Sequence, residues 1–276
     1  MVKKSQKVLD FIDDMLRTLL SYGITVYMLL LIVVLPLYFE QGYGYIATDK
    51  ASFFCKVSVN VGKVLFPIII LRAIAAIAIN HAKIRSFFQN KQFKMVLKAY
   101  ICRISALDFF VGLYGASVLL SYLCSNYRDA ALWGTAGWYM GFVPQMILVC
   151  GYFLIAKFWE PKKWVFYMTL PVAIVVFALG YLNRFGYYPI EMEYANPSFI
   201  STIGNINWYC SYVVPVLFVW VGLFWSMSKV EMPKRKAGQG TRMEVLRWYP
   251  ENIVVGAFIC LGFATLITQG SASGIL

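Results

Sequence analysis

Residues 196–210 read NPSFISTIGNINWYC and run directly into SYVVPVLFVWVGLFW, Ser211 to Trp225. The second half decides the fold class: fifteen residues without a charge, following a cluster of small and amide side chains. Comparable apolar runs recur along the 276 residues, which are 60% hydrophobic and 14% charged, with a mean hydropathy of +0.66. Soluble domains run at about 45–50% apolar and about 25% charged, so a larger soluble core does not account for this balance. About 20 apolar residues cross a hydrocarbon slab of roughly 30 Å. The chain is therefore read as an all-α, polytopic integral membrane protein.

About seven spans are expected, near 18–39, 57–79, 104–124, 135–157, 165–182, 208–227 and 251–270. Residues 1–17 precede them, with Val8, Leu9, Phe11, Ile12, Met15 and Leu16 recurring at near-helical spacing. That pattern predicts an amphipathic cytoplasmic or interfacial lead-in, followed by one multi-span membrane domain, 18–276. A cleaved signal peptide is not expected, because the first apolar run continues to Pro36, Tyr38 and Phe39 without a small-residue cleavage site.

The net charge of +12 is distributed as a topology signal, in short blocks between apolar runs, which argues against a nucleic-acid face. One alternating set of segments holds 19 Lys and Arg: four up to Arg17, six over 83–103, three at Lys157, Lys162 and Lys163, and six over 229–247. The other set holds four: Lys50, Lys56, Arg128 and Arg184. The positive-inside rule then puts the N-terminus in the cytoplasm and the loops 40–56, 125–134 and 183–207 outside. The six cysteines lie in or beside apolar runs with no C-x-x-C pair, as small apolar fillers do. A lone histidine, His81, gives no basis for a metal site, and no cofactor is expected.

Charges inside spans are costly and each needs a reading. Lys56 and Lys63 stand seven residues apart on one face of span two. They either snorkel to headgroups or seat a lipid phosphate. Arg72 lies on roughly the opposite side of that helix, in the inner half, as does Asp108 early in span three. A structural Arg72–Asp108 ion pair is the favoured expectation. A proton relay is the alternative, although such relays use chains of acids or histidines.

Thr202, Gly204, Asn205 and Asn207 enter span six from outside. Free N–H groups and the dipole at a helix start favour an anion. Glycine permits close backbone approach, and amides suit sugar hydroxyls or phosphate oxygens. Capping by Thr202 or Asn205 is the plainer reading of the same residues.

Read in order, STIGNIN before an apolar span (Ser201–Asn207) resembles the GT-x-GN-x-N element of the O-antigen ligase and polymerase family. YRDAALWGTAGWYMGFVPQMILVCGYFLI (127–155) is similar to a short external loop and following span of its Gram-positive members, and LLLIVVLPLYFEQGYGYIATDKASFF (29–54) to their first span and loop. The resemblance covers most of the chain and implies its N-terminal portion, since the family continues with further spans beyond the level of TQGSASGIL. It implies transfer of a glycan from an undecaprenyl-pyrophosphate carrier to a glycan or lipid acceptor outside the membrane, in cell-surface polysaccharide assembly. It also implies external arginines and an external histidine. Here only Arg128 and Arg184 are external arginines, Ser198 stands where relatives often have arginine, and no external histidine is present. Arg184, Lys63 and Lys56 are the expected seat for departing phosphates, with Thr202, Gly204, Asn205 and Asn207 lining the donor pocket; no catalytic base is assigned. A transporter or flippase of a lipid-linked solute, or a non-catalytic membrane fragment, are the alternatives.

The charge bias is open to test. Single-cysteine variants in a background lacking the native cysteines, probed in intact cells with an impermeant thiol reagent, should label at position 195 and not at 235. The reverse pattern would invert the orientation.

Overall fold

The computed structural model describes residues 2–81, 104–228 and 250–272; most of the two basic loops expected inside, 82–103 and 229–249, and Cys102 with them, lie outside the described residues. The chain opens with α1 (Val2–Leu29), passes through a π-helical turn (Leu30–Val34) and ends the rod in α2 (Leu35–Leu37). The wide turn has a local cause. Pro36 has no N–H to continue an i→i−4 ladder, and the Leu35 N–H instead reaches back five residues to the Leu30 carbonyl. There follow α3 (Ile46–Ile79), α4 (Ala106–Cys124), α5 (Arg128–Trp133), α6 (Phe142–Phe158), α7 (Lys163–Tyr167) and α8 (Thr169–Arg184). The two-residue strands β1 (Phe199–Ile200) and β2 (Gly204–Asn205) precede α9 (Ile206–Ser228) and α10 (Pro250–Gln269).

Among the described residues six helical stretches are long and apolar enough to cross a membrane: Lys7–Leu37, Ile46–Ile79, Ala106–Cys124, Lys163–Arg184, Ile206–Ser226 and Glu251–Gln269. The 17-residue α6 is apolar but shorter, and it coincides with the fourth of the seven expected spans. The protein is thus an all-α, multi-pass membrane protein. Two expectations change at the ends. The lead-in over 1–17 is no separate element, because α1 runs unbroken from Val2 into the first span. The loop expected at 40–56 is short, because α3 starts at Ile46 and carries Lys50 and Lys56 within it. Lys50 is held there, its ammonium donating to the Leu35 carbonyl at 2.7 Å.

The single membrane domain expected over 18–276 resolves into two compact units, residues 1–35 with 47–167, and 36–46 with 168–276. Sequence order conceals this division, because the loop 36–46 is hydrogen-bonded into the second unit.

In the first unit, α1 turns Leu16, Leu20, Ile24 and Tyr27 inward at three- and four-residue spacing, while Phe11, Met15, Leu19, Tyr22 and Val26 stay exposed. Leu20, Ile24 and Leu65 form a buried cluster covered by Met28, Val61, Ile69, Leu154 and Phe158. Gly23 permits the contact: a Cβ there would lie 2.5 Å from a Leu65 methyl. Three ion pairs tie separate segments of this unit together. Arg72 Nε meets Asp13 Oδ1 at 3.1 Å, joining α3 to α1. Arg17 meets Glu160 at 2.6 Å, and Lys157 meets Asp108 at 2.6 Å, joining the end of α6 to the start of α4.

The expected Arg72–Asp108 pair is therefore corrected. Asp108 is the third residue of α4, locked in a capping box in which its N–H donates to Ser105 Oγ and its carboxylate accepts the Ser105 N–H. The C-terminal half of the neighbouring α6 brings Lys157 and Tyr152 to that carboxylate. Arg72 faces α1, where Asp13 is available. The need of each charge for a counter-charge was legible in the sequence; which residue meets it was not.

A double-mutant cycle separates these partners. Asp108→Asn with Lys157→Met, and Arg72→Met with Asp13→Asn, should each show a coupling of about 0.5–3 kcal/mol in detergent unfolding. Arg72→Met with Asp108→Asn should be additive; coupling there would restore the pair the structure rejects.

Candidate functional site

The second unit packs α8, α9 and α10 around Phe177, Val213, Leu217, Trp220 and Phe258, with Phe177 stacked on Phe258 at 5.3 Å between ring centres. Gly180 lets α9 approach α8 closely, since a Cβ there would lie 2.5 Å from the Tyr209 ring. That core sets the level at which the outer elements meet.

The quoted stretch folds into a small antiparallel hairpin, Phe199 opposite Asn205 and Ile200 opposite Gly204. Two backbone positions shape it. Gly204 has φ +101°, and a side chain there would strike Ile46 at 2.8 Å. Ser201 has φ +55°, which costs an L-residue about 1–2 kcal/mol. Three hydrogen bonds offset that strain. The Ser201 N–H donates to Asn183 Oδ1 at 2.7 Å, its hydroxyl to the Val176 carbonyl at 2.8 Å, and its carbonyl accepts the Tyr43 hydroxyl at 2.7 Å. Thr202, also buried, donates its hydroxyl to the Pro36 carbonyl at 2.8 Å. Tyr43, Ile46 and Met192 are buried beneath, flanked by Phe39, Phe199 and Trp208.

These bonds assign roles. Thr202 and Gly204, expected in a donor pocket, are structural: one tethers the hairpin to the loop 36–46 and the other permits its turn. Asn205 is the N-cap of α9, its Oδ1 accepting the Asn207 N–H at 2.8 Å. The Ile206 N–H goes to the Ser198 carbonyl at 3.0 Å. Two of the N–H groups expected to greet an anion are thus taken, and the capping reading of Asn205 is the one the geometry carries.

What stays exposed is a rim beside the hairpin. Arg184, at the last turn of α8, is exposed, its Nε–H donating to the Thr268 carbonyl at 3.1 Å. Asn207 is exposed, its Oδ1 accepting the Ser271 hydroxyl at 2.8 Å. The turn after α10, Gly270 with φ +62°, joins the two: a Cβ at Gly270 would lie 3.8 Å from Arg184 Nη2. Just inside, Gln269 is 1% exposed, with Nε2 donating to the Gly180 carbonyl at 3.3 Å and Oε1 unsatisfied. The rim therefore offers a guanidinium with open Nη groups to a phosphate and amides to hydroxyls. Elsewhere in the same unit, Glu40, Glu191 and Glu193 border an outer depression, a setting that repels an anionic ligand.

Arg184 and Asn207, singled out from sequence, are thus brought to one rim. Lys56 and Lys63 belong to the first unit, exposed on the outward face of α3. Arg128, in the first unit as well, donates to the Leu123 carbonyl and sits over the Tyr122 ring. Sequence reasoning missed Ser201, Asn183, Tyr43, Gln269 and Ser271. Asn183 was detectable as an amide inside an apolar helix end beside Arg184, and Gln269 with Ser271 as the polar close of span seven. Compared with known protein families, curated proteins and solved structures, the chain finds no match.

Burial, with Tyr188 nearby, pushes the Tyr43 phenol up to about 12. Its value in the unfolded chain is about 10, so the stabilisation is full below pH about 10 and is lost as pH rises through about 12. Tyr43→Phe should lower unfolding stability by about 0.5–1.5 kcal/mol at pH 8 and flatten the loss above pH 10 in detergent melts. An unchanged melting temperature at pH 8 would remove Tyr43 from the hairpin's support.

Proposed function

We propose that the chain belongs to the membrane machinery that moves a glycan from an undecaprenyl-pyrophosphate carrier to an acceptor outside the cell membrane, as O-antigen ligases and polymerases do. The ordered resemblance of three stretches motivates the reading. The observation that carries it is the Arg184 rim, an exposed guanidinium fixed at Thr268 beside the Asn207–Ser271 bond. In this reaction the acceptor hydroxyl attacks the anomeric carbon and gives up its proton to water, the C–O bond to the carrier breaks, and lipid pyrophosphate departs with the bonding electrons. Arg184 would stabilise the charge growing on the departing phosphate, and Asn207 would hold the first sugar. Thr202 and Gly204 serve by keeping the hairpin in place. Membrane lipids surround this chemistry, and nucleic acid has no part in it.

Binding is the direct test. A short-chain lipid-pyrophosphate sugar titrated against wild type, Arg184→Gln and Asn207→Ala should bind about 10- to 100-fold more weakly to Arg184→Gln, the range of one lost charge-assisted hydrogen bond. Asn207→Ala should lose less, and neither melting temperature should move by more than a few degrees. Equal affinity in wild type and Arg184→Gln would overturn the reading.

A further inference from the structure

Helix α4 carries a polar stripe within an apolar span. Tyr114, Ser117 and Ser121 stand at i, i+3 and i+7, on one face, among apolar neighbours such as Leu113, Leu120 and Leu123. The stripe forms one wall of a depression of about 500 Å³, whose other walls are α5, the loop 134–141 and the first turn of α6. That volume falls within the roughly 300–1,000 Å³ of small-molecule sites.

Its polar atoms are set in advance. The Tyr114 hydroxyl donates to Gln145 Oε1 at 2.6 Å, and Gln145 Nε2 donates to the Met140 carbonyl. Both keep spare capacity: the phenol oxygen can still accept, and the carboxamide has a second N–H and a further lone pair. Ser121 and Thr135 are exposed, and their hydroxyls make no hydrogen bond among the described residues. Tyr122 and Phe142, stacked at 4.7 Å between ring centres, supply an apolar wall. The loop has a fixed shape. Gly134 has φ +88°, and a Cβ at Gly141 would lie 2.2 Å from the Gly134 nitrogen. The Tyr139 hydroxyl ties the loop to Thr48 of α3 at 2.8 Å. No charged side chain lines the depression, unlike those at Lys157 and at Glu40, Glu191 and Glu193.

We propose that this depression binds a neutral pyranose ring, its hydroxyls pairing with Gln145, Ser121 and Thr135 and its C–H surface lying against the aromatic wall. A pyranose joins the two chemistries found here: hydroxyls that both donate and accept, and C–H faces that pack on aromatic rings. An anion would find no cation among the lining side chains. A purely apolar chain would leave the hydroxyls and the carboxamide without partners. A free glycan end and a glycolipid headgroup both present this chemistry. The depression belongs to the first unit and uses none of the residues of the Arg184 rim.

The test uses purified protein in phosphatidylcholine nanodiscs, free of sugar-based detergent. The probes are the methyl glycosides of glucose, galactose, mannose and N-acetylglucosamine, titrated and read by saturation-transfer NMR. At least one should bind saturably, and about tenfold more tightly than sorbitol, which has the hydroxyls but no rigid ring. Ser121→Leu fills the depression at a hydroxyl that holds nothing in the fold, so it should abolish that binding while the melting temperature moves by a few degrees at most. Gln145→Ala should weaken binding about tenfold. Nanodiscs doped with the diacylglycerol glycoside of the bound sugar separate the two sources. Displacement of the methyl glycoside assigns the site to a glycolipid, and an unchanged signal assigns it to a free glycan end. No saturable binding by any of the four, sorbitol binding as tightly, or equal affinity in Ser121→Leu would each overturn the proposal.

Discussion

The hairpin of the second unit depends on one hydrogen bond, from the Ser201 amide to the carboxamide of Asn183. Ser201 stands in a left-handed conformation that an L-residue does not hold unaided. The bond to Asn183 fixes it to α8, its hydroxyl to Val176 adds a second anchor on the same helix, and Tyr43 holds its carbonyl from the loop 36–46. With Ser201 fixed, the hairpin closes in one register, Asn205 reaches the N-cap of α9, and Asn207 is aimed at the turn after α10. Each buried polar atom needs a partner, and this stretch finds nearly all of them within the protein.

The first unit is tied by three ion pairs. Asp13–Arg72, Arg17–Glu160 and Asp108–Lys157 each join two segments that are separate in sequence. Partly exposed pairs of this kind contribute modestly to stability. Their larger consequence is to fix which helix turns which face inward. Arg72 facing α1 directs Leu65 into the core and leaves Lys63 on the opposite side.

Most of the architecture could be read from hydropathy and charge, because span length and the cost of buried charge are local properties. Ile206–Ser226 and Ala106–Cys124 fall within a few residues of where the apolar runs put them. What could not be read is who stands next to whom. Asp108 and Arg72 are complementary in charge, yet the capping box of α4 and the end of α6 claim the first, and α1 claims the second. The same limit applies to the amide cluster. Thr202, Gly204 and Asn205 looked like ligand contacts because small polar residues at a helix start serve binding and folding alike; only the bonds to Pro36 and Asn207 tell them apart. Arg184 was recognisable as an exposed cation, but its anchor at Thr268 comes from a helix more than eighty residues later.

Taken together, the outer stretch is a scaffold whose polar residues are mostly spent on itself, presenting Arg184 and Asn207 at its edge. That preformed hairpin is the centre of the account, and amide hydrogen exchange of the protein in detergent, without added ligand, tests it most directly. The amides of Ser201, Ile206 and Asn207, each with a named acceptor, should exchange far more slowly than those of the exposed residues Ile190 and Glu191. Exchange of all three as fast as those exposed positions would contradict a hairpin assembled in advance, and with it the roles given to Thr202, Gly204 and Asn205.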